Sequence, residues 1–169
     1  MVDTLTPEER SRLMSRIRSR NTKPECVLRS VLHRMGYRFS LRSKHLPGKP
    51  DIVMPKYKTV IFVHGCFWHR HPGCKQASNP KSNQEFWNEK FRRNVERDKR
   101  VRAELEALGW RVVVVWECEI EKRLEEIAAE LNHLLSGKTV RYEDFPTTRA
   151  LFKAAEKKAE YRKKGGAKK

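Results

Sequence analysis

The chain has 169 residues, a formal net charge of +17 at neutral pH and an isoelectric point near 10.1. This length suits one compact domain with a hydrophobic core, and no stretch reaches the roughly 20 apolar residues that span a bilayer. The charge argues against a small-molecule enzyme without a polyanionic partner and favours nucleic acid, because each neutralised phosphate releases condensed counterions. A basic protein that binds anionic surfaces loosely is the alternative.

Two helices are predicted at the start of the chain. Thr6 caps the first, with Glu9 placed to reach back in a capping box. A second box, from Thr22 to Glu25, begins the next helix, and Gly36 ends it. Because the first residues are polar and acidic, they do not form a signal peptide, and we expect an intracellular protein with reduced cysteines.

Alternating and apolar runs predict a small mixed sheet flanked by helices, an α/β or α+β layout. The predicted strands are Tyr37–Leu41, Asp51–Met54, Thr59–Val63 and Arg111–Trp116, of which the last two are expected to be central. Two further helices are predicted over Asn83–Leu108, ended by Gly109, and over Glu119–Leu135. We divide the chain into an N-terminal arm (1–21), a core (22–136) and a basic extension (137–169) that is expected to be partly disordered and to add nonspecific DNA affinity.

A cluster of cysteines and histidines follows the apolar strand. Two cysteines and three histidines lie within the segment 64–74, and these residue types at short spacings are typical of tetrahedral zinc. Cys66, Cys74 and one histidine supply three ligands, and Cys118, just after the other central strand, is the natural fourth. Spacing does not choose between His69 and His71. Unliganded, reduced cysteines are the alternative, and Cys26 is interpreted in that way as a packing residue.

A Pro-Asp pair precedes one of the predicted strands. The Asp51 carboxylate is suited to Mg²⁺, which leans on one or two carboxylates and on substrate phosphate. Hydrolysis of a phosphodiester also needs a base and a group that shields charge, for which His64, His69, Asp98 and Glu25 are candidates. Alone, such an aspartate is more often a solvated turn residue. Pro-Asp on a strand opens the PD-(D/E)XK nuclease pattern, but Val63-His64 stands where Glu-x-Lys is expected.

Several segments resemble the very-short-patch repair (Vsr) endonucleases, bacterial enzymes that nick beside the thymine of a T:G mismatch. They cover roughly residues 10–135 in the family's order, and Gly-Cys-Phe-Trp-His is their most specific motif. The segments are Ser11–Ile17, Leu46–Asp51, Val60–His69, Glu85–Trp87, Asn94–Asp98 and Leu108–Cys118.

The resemblance implies a PD-(D/E)XK core with an altered second half and a structural zinc site. By it, Asp51 and the backbone carbonyl of Val63 bind Mg²⁺, His69 is the general base, and His64 supports the scissile phosphate. Glu25 and Asp98 hold metal-bound waters. Zinc is assigned to the set Cys66, His71, Cys74 and Cys118, which leaves His69 for catalysis.

The resemblance also gives aromatic residues a role in DNA. Phe67, Trp68 and Trp87 match the wedge that enters the duplex from the major groove, and Met14 matches the opposing minor-groove contact. Unstacking costs least at a mismatched step, so deformability contributes to selectivity. Core packing is the alternative for these aromatics, and it is the interpretation for Phe62 and Phe91.

The function that the resemblance implies is a Mg²⁺-dependent endonuclease that nicks one strand 5′ to the thymine of a T:G mismatch. It would act as a monomer on bacterial DNA in the cytoplasm and nucleoid, and start repair of deaminated 5-methylcytosine. Mismatch-repair proteins and a cytosine-5 methyltransferase are the implied partners, and no membrane is involved. Two alternatives stay open: a zinc-stabilised DNA-binding module that does not cut, and a relative that cuts other mismatches.

Overall fold

The computed structural model describes residues 6, 8, 9, 12, 20–41, 43 and 45–136. In this part of the chain a small mixed sheet is flanked by helices, which confirms the predicted α/β layout. Met14, most of the predicted N-terminal arm and the whole C-terminal extension lie outside the described residues. Among the described residues, no helix is long and apolar enough to cross a membrane.

The described core contains five α-helices, three strands and one 3-10 turn. In chain order they are α1 (Lys23–Arg34), β1 (Ile52–Met54), the 3-10 turn (Pro55–Tyr57), β2 (Thr59–His64), α2 (Cys66–His69), α3 (Gln84–Ala107), β3 (Arg111–Trp116), α4 (Glu117–Lys122) and α5 (Leu124–Ser136).

The sheet has the order β1-β2-β3 and determines which residues meet at the site. β1 is antiparallel to β2, with Ile52 opposite Ile61, whereas β3 is parallel to β2, with His64 opposite Trp116. Since parallel strands end at the same edge of a sheet, the segments that follow His64 and Trp116 leave the sheet side by side. This placement allows two segments that are distant in sequence to share one cluster.

Helix α1 closes one face of the sheet. Its capping signal is confirmed, because the Glu25 carboxylate accepts from the Thr22 backbone N–H, and Gly36 follows the helix with a φ of +87°. The buried side of α1 packs with β1, β2, α4 and α5 in the main core cluster. The first predicted box is present as well, with Thr6 and Glu9 exchanging hydrogen bonds of 2.9 and 3.2 Å.

Gly48 allows the connector that precedes β1 to lie close to α3. Gly48 has a φ of +70°, and a Cβ at this position would collide with the side chain of Val101 on α3. Any larger residue would therefore push the Leu46–Pro50 connector, and with it Asp51, away from α3. Gly109, with a φ of +75°, ends α3 as predicted.

Three predictions of secondary structure are wrong in detail. Tyr37–Leu41 is not a strand: only Ser40 pairs, in an isolated bridge to Val53, because the Tyr37 side chain turns into the core and donates to Asn132. The predicted helix Glu119–Leu135 is two helices, since Arg123 leaves helical geometry with φ −140° and ψ 45°.

The third error concerns the strands that were expected to be central. β3 lies at an edge of the described sheet, and only β2 is central. β2 itself is buried from Thr59 to Ile61 and half-buried from Phe62 onwards. The strand therefore becomes accessible as it approaches the candidate site.

Candidate active site and metal centre

Asp51 stands at the entrance to β1, against the backbone of β2. Its N–H donates to the Ile61 carbonyl at 3.2 Å, and its carboxylate accepts from the Val63 N–H at 2.8 Å. In a β-strand the N–H and C=O of one residue point to the same side. The Val63 carbonyl therefore points to the same side of β2 as the Asp51 carboxylate, which makes the two oxygens candidates for one cation site.

The electrostatics of Asp51 suit a cation site. Burial raises the pKa of its carboxyl from 3.8 to about 6; the Val63 hydrogen bond opposes the rise, and the charge of Glu25 adds to it. A carboxylate that is costly to ionise in the free protein gains from a divalent ion. Asp51 thus offers the ligand type that Mg²⁺ prefers, at a half-buried position where a bound cation would favour the ionised carboxylate.

His69 ends the short helix α2 and meets α3. Its Nδ1 lies 2.5 Å from Asp98 Oδ2, and its ring stacks on that of His64, with centroids 3.8 Å apart and an angle of 13° between the planes. Burial raises the pKa of Asp98, but the hydrogen bond and the charge of His69 lower it, and the net result is a lowered pKa. When Nδ1 donates to this carboxylate, the other ring nitrogen is left as the free base.

His64 is the last residue of β2 and is neutral at neutral pH. Burial lowers the pKa of its imidazole to about 4, and the neighbouring His69 lowers it further. It would therefore serve a phosphate as a hydrogen-bond donor and not as a full positive charge.

Glu25 lies in the first turn of α1. Its side chain is only 4% exposed, and its two oxygens accept hydrogen bonds from Asn21, Thr22 and Arg29. The charge of Glu25 adds to the rise in the pKa of Asp51, so the two carboxyl groups lie close enough to interact.

A second cluster forms at the same edge of the sheet. The ligand atoms of Cys66, His71, Cys74 and Cys118 all lie within 4.8 Å of one another. His71 Nδ1 is 3.4 Å from Cys66 Sγ and 3.3 Å from Cys118 Sγ. Zinc ligands at about 2.0–2.3 Å occupy tetrahedral corners roughly 3.3–3.8 Å apart. Three thiols and an imidazole at these separations could hold such an ion.

The backbone at Arg70 separates the two histidines. Arg70 ends α2 in the left-handed region with a φ of 56°, and the next N–H, that of His71, returns to the Cys66 carbonyl. His69 is thereby directed to α3 and His71 to the cysteines, where its ring stacks on Trp116 with centroids 4.2 Å apart. The structure thus brings His71, and not His69, into the cysteine cluster.

His64, His69 and Asp98 form another group of potential ligands within 4.8 Å. The two imidazole rings are nearly parallel, so their lone pairs lie in two separate and nearly parallel planes and do not converge on one ion. This geometry favours an acid–base role over metal binding for the group.

The cluster shifts the pKa values of its three cysteine thiols. Burial raises the pKa of Cys66 to about 12 and also raises that of Cys118, whereas a hydrogen bond from the Gln76 backbone lowers the pKa of Cys74. A metal ion would have to displace the thiol protons. Cys26 lies on α1, half-buried and outside the cluster.

Aromatic rings line the outer side of α2 and the start of α3. Phe67 packs edge-on against Trp68, Trp87 and Phe91 at centroid distances of 5.1, 5.5 and 5.2 Å. Phe91 and Trp87 are buried, while Phe67 and Trp68 are half-buried. Phe86, which the sequence analysis did not single out, is 51% exposed beside them.

Comparison with known proteins places the chain among nucleases. The family model described as DNA mismatch endonuclease Vsr matches residues 2–76. A type II nicking enzyme of Xanthomonas oryzae, V.XorIIP, is 51% identical over 80% of this chain and 98% of its own length. The DNA mismatch endonuclease Vsr of Escherichia coli is 45% identical over 73% of this chain and 78% of its own length. A nicking enzyme of Neisseria meningitidis, V.NmeAIP, is 48% identical over 73% of the chain and 87% of its own length.

The chain belongs to the Vsr family of DNA mismatch endonucleases. The predicted family resemblance is therefore confirmed, and the chain is an endonuclease that acts on DNA. The basic composition now has its explanation, since a Vsr endonuclease neutralises phosphates along its substrate.

Sequence reasoning missed three supporting residues of this Vsr endonuclease. Glu117 accepts a 2.7 Å hydrogen bond from the Cys66 N–H, and Asn94 donates to the Trp68 carbonyl at 3.0 Å. Arg29 connects Glu25 to the backbone of Asp51. The signal for Glu117 was its place beside Cys118, and that for Arg29 was its i+4 spacing from Glu25.

Proposed function

We propose that this Vsr-family endonuclease uses Mg²⁺ to nick one DNA strand 5′ to the thymine of a T:G mismatch, and so starts very-short-patch repair of deaminated 5-methylcytosine. Two observations near the half-buried end of β2 support the proposal. The Asp51 carboxylate accepts from the Val63 N–H, and His69, whose charge acts on Asp51, is hydrogen-bonded to Asp98. The three-stranded mixed sheet would be the remnant of a PD-(D/E)XK core, with Val63 replacing the missing acidic residue.

Asp51 and the Val63 carbonyl are the proposed ligands of Mg²⁺. A bound Mg²⁺ would stabilise the negative charge that develops on the scissile phosphate and would activate water. Using a backbone oxygen makes the side chain at position 63 irrelevant to metal binding, which accounts for the absence of Glu-x-Lys. Glu25, buried nearby, is proposed to hold a metal-bound water.

His69 is the proposed general base. With Nδ1 held by Asp98, its Nε2 would accept the proton of the attacking water, and Asp98 would fix the tautomer and stabilise the cation that forms. Asp98 can still orient a water through its other oxygen. His64, neutral and stacked on His69, is proposed to donate a hydrogen bond to the phosphate.

Zn²⁺ is the proposed structural ion of the cluster Cys66, His71, Cys74 and Cys118. Support comes from the donor set, from the short Sγ–Nδ1 separations and from the burial of Cys66 and Cys118. These residues join the loop after β2 to the end of β3, so the ion would hold the loop that carries His69.

Phe67, Trp68 and Trp87, with Met14, are proposed to enter the duplex at the mismatch. The half-burial of Phe67 and Trp68 leaves part of each ring accessible, and Lys90 Nζ lies 5.3 Å from the Trp68 ring centre. A cation beside accessible aromatic rings suits a polyanionic partner.

Cleavage of an end-labelled T:G hairpin in Mg²⁺ tests the proposal directly. The expected result is a single nick on the thymine strand, with no cut in the matched T:A hairpin. Asp51→Ala should remove the nick while T:G binding in the absence of Mg²⁺ stays within a few fold of the original protein. Lys56→Ala, at an exposed residue of the 3-10 turn, is the matched control and should cut normally.

Binding without a nick in any divalent ion would contradict the proposal and favour a module that only recognises distorted DNA. A nick at other mismatches but not at T:G would support the endonuclease activity and contradict the proposed substrate. A panel of mismatches in varied flanking sequence distinguishes these results.

A further inference from the structure

Arg29 is a half-buried cation that connects the Glu25 carboxylate to the backbone of Asp51. Its Nη2 donates to Glu25 Oε2 at 2.7 Å and to the backbone oxygen of Asp51 at 3.2 Å. Its Nη1 donates to Asn21 Oδ1 at 2.7 Å. The side chain is only 13% exposed, so solvent screens its charge weakly.

These contacts connect three parts of the chain. Glu25 caps α1, Asp51 enters β1, and Asn21, with a left-handed φ of 52°, is the point at which the predicted N-terminal arm meets the core. A planar guanidinium donates in several fixed directions, which a single ammonium group does not. Arg29 therefore sets the separation of Glu25 and Asp51 and relates both to residue 21.

Packing alone does not explain why an arginine occupies position 29. Among the described residues, its Nε is the buried side-chain atom that lacks a hydrogen-bond partner. Buried polar groups are normally satisfied, and an exception in a native protein calls for an explanation. Here the guanidinium donates to Glu25, Asn21 and the Asp51 carbonyl while its own Nε makes no hydrogen bond, so these three polar contacts determine where the charge lies.

We propose that Arg29 is a positioning residue of the cleavage site, whose fixed positive charge holds Glu25 beside Asp51 and keeps the affinity for divalent cations low until DNA is bound. The inference rests on the proposed Mg²⁺ site. Glu25 and Asp51 alone would present two negative charges to a cation in a half-buried environment, and Arg29 offsets one of them. A DNA phosphate then supplies the negative charge that completes the site, so the ion and the substrate bind together.

The test is direct titration of the zinc-loaded, DNA-free protein with Mn²⁺ at pH 8.5, followed by electron paramagnetic resonance of the free ion. Arg29→Met keeps the length of the side chain and removes its charge. We expect its Mn²⁺ affinity to rise about fivefold, while T:G nicking falls about tenfold. Arg34→Met, at an exposed residue of the same helix, removes the same formal charge and should change neither quantity more than twofold.

Arg29→Lys separates charge from geometry and serves if the methionine variant does not fold. It should bind Mn²⁺ within twofold of the original protein but nick more slowly, because an ammonium group cannot make all three contacts. If the lysine variant nicks normally and the methionine variant binds Mn²⁺ unchanged, the inference is overturned. A cation bound by the original protein must also be lost in Asp51→Ala; otherwise the proposed metal site, and not the role of Arg29, has failed.

Discussion

Two polar clusters lie at the same edge of the sheet, and their side chains are organised in opposite ways. In the cysteine cluster, the ligand atoms of His71 and three thiols lie within 4.8 Å of one another, and Cys66 and Cys118 are buried. In the histidine cluster, His64 and His69 lie parallel, and Asp98 orients His69 from α3. Convergence suits a metal that holds structure, whereas an oriented, partly accessible imidazole suits proton transfer. Neighbouring residues thus take different roles according to the element that they face.

The largest expected effect separates His69 from His71. His69→Ala should lower the nicking rate about 10²- to 10⁴-fold, since a positioned base contributes on this scale, and should leave the zinc content unchanged. The measurements are single-turnover cleavage of a T:G duplex and metal analysis of the purified protein.

His71→Ala is the matched change in the other cluster. It should lose the metal ion and fold stability together, and lose activity only as a consequence. If His69→Ala released zinc and His71→Ala did not, the assignment of the two clusters would be reversed.

The next effect concerns the stability that the cysteine cluster provides. Cys118→Ala should abolish stoichiometric zinc and lower the free energy of unfolding by several kcal/mol, roughly 3–5, because binding energy of a structural metal is folding energy. Thermal unfolding with and without a strong chelator measures this loss.

Cys26→Ala is the control, since Cys26 lies outside the cluster. It should keep one equivalent of zinc and should lose stability in chelator to the same extent as the original protein. If the original protein contained no zinc and unfolded at the same temperature with and without chelator, the proposed structural zinc site would be contradicted.

Much of the difference between the cysteine cluster and the histidine cluster could be predicted from the sequence. The apolar runs of β2 and β3 and the cysteines that follow them suggested that Cys66 and Cys118 meet, and parallel pairing brings them together. The choice between His69 and His71 could not be made from spacing, because it depends on one left-handed residue, Arg70. No pattern of residue types specifies that conformation for an arginine.

Other features depend on contacts between distant parts of the chain. The alternation of residues 37–41 indicated a strand, but Tyr37 packs on Tyr57 and bonds to Asn132 on α5, and β1 is too short to pair with a full strand. Arg29 was overlooked because an arginine on a helix is usually solvated, and only the fold reveals that Asp51 lies over it.

A pH-dependent effect tests how much the ionisation of Asp51 lowers the stability of the fold. Its pKa is raised from 3.8 to about 6, so the folded protein binds this proton more tightly than the unfolded chain does. The stability that the proton supplies is complete below pH 4 and is lost as the pH rises through 6. Asp51→Asn should therefore be more stable at pH 8 by roughly 2 kcal/mol in Mg²⁺-free buffer, with little difference at pH 4.

Chemical denaturation at the two pH values checks this expectation. The asparagine can still accept the Val63 N–H, so the change isolates the charge. Equal stability of the two proteins at pH 8 would mean that Asp51 ionises without cost, and the argument that a bound cation would relieve this cost would fail.

The smallest effect concerns the aromatic rings beside both clusters. Trp68→Ala should weaken binding to a T:G duplex about tenfold, or about 1.4 kcal/mol, and weaken matched DNA less, because ring insertion is easiest at a mismatched step. Phe91→Leu is the packing control: Phe91 is buried against Phe67, so its loss should lower stability without changing the preference for T:G. Fluorescence anisotropy with both duplexes measures the preference. Equal weakening on the two duplexes would make Trp68 a packing residue, and recognition of the mismatch would then have to come from groups other than this ring.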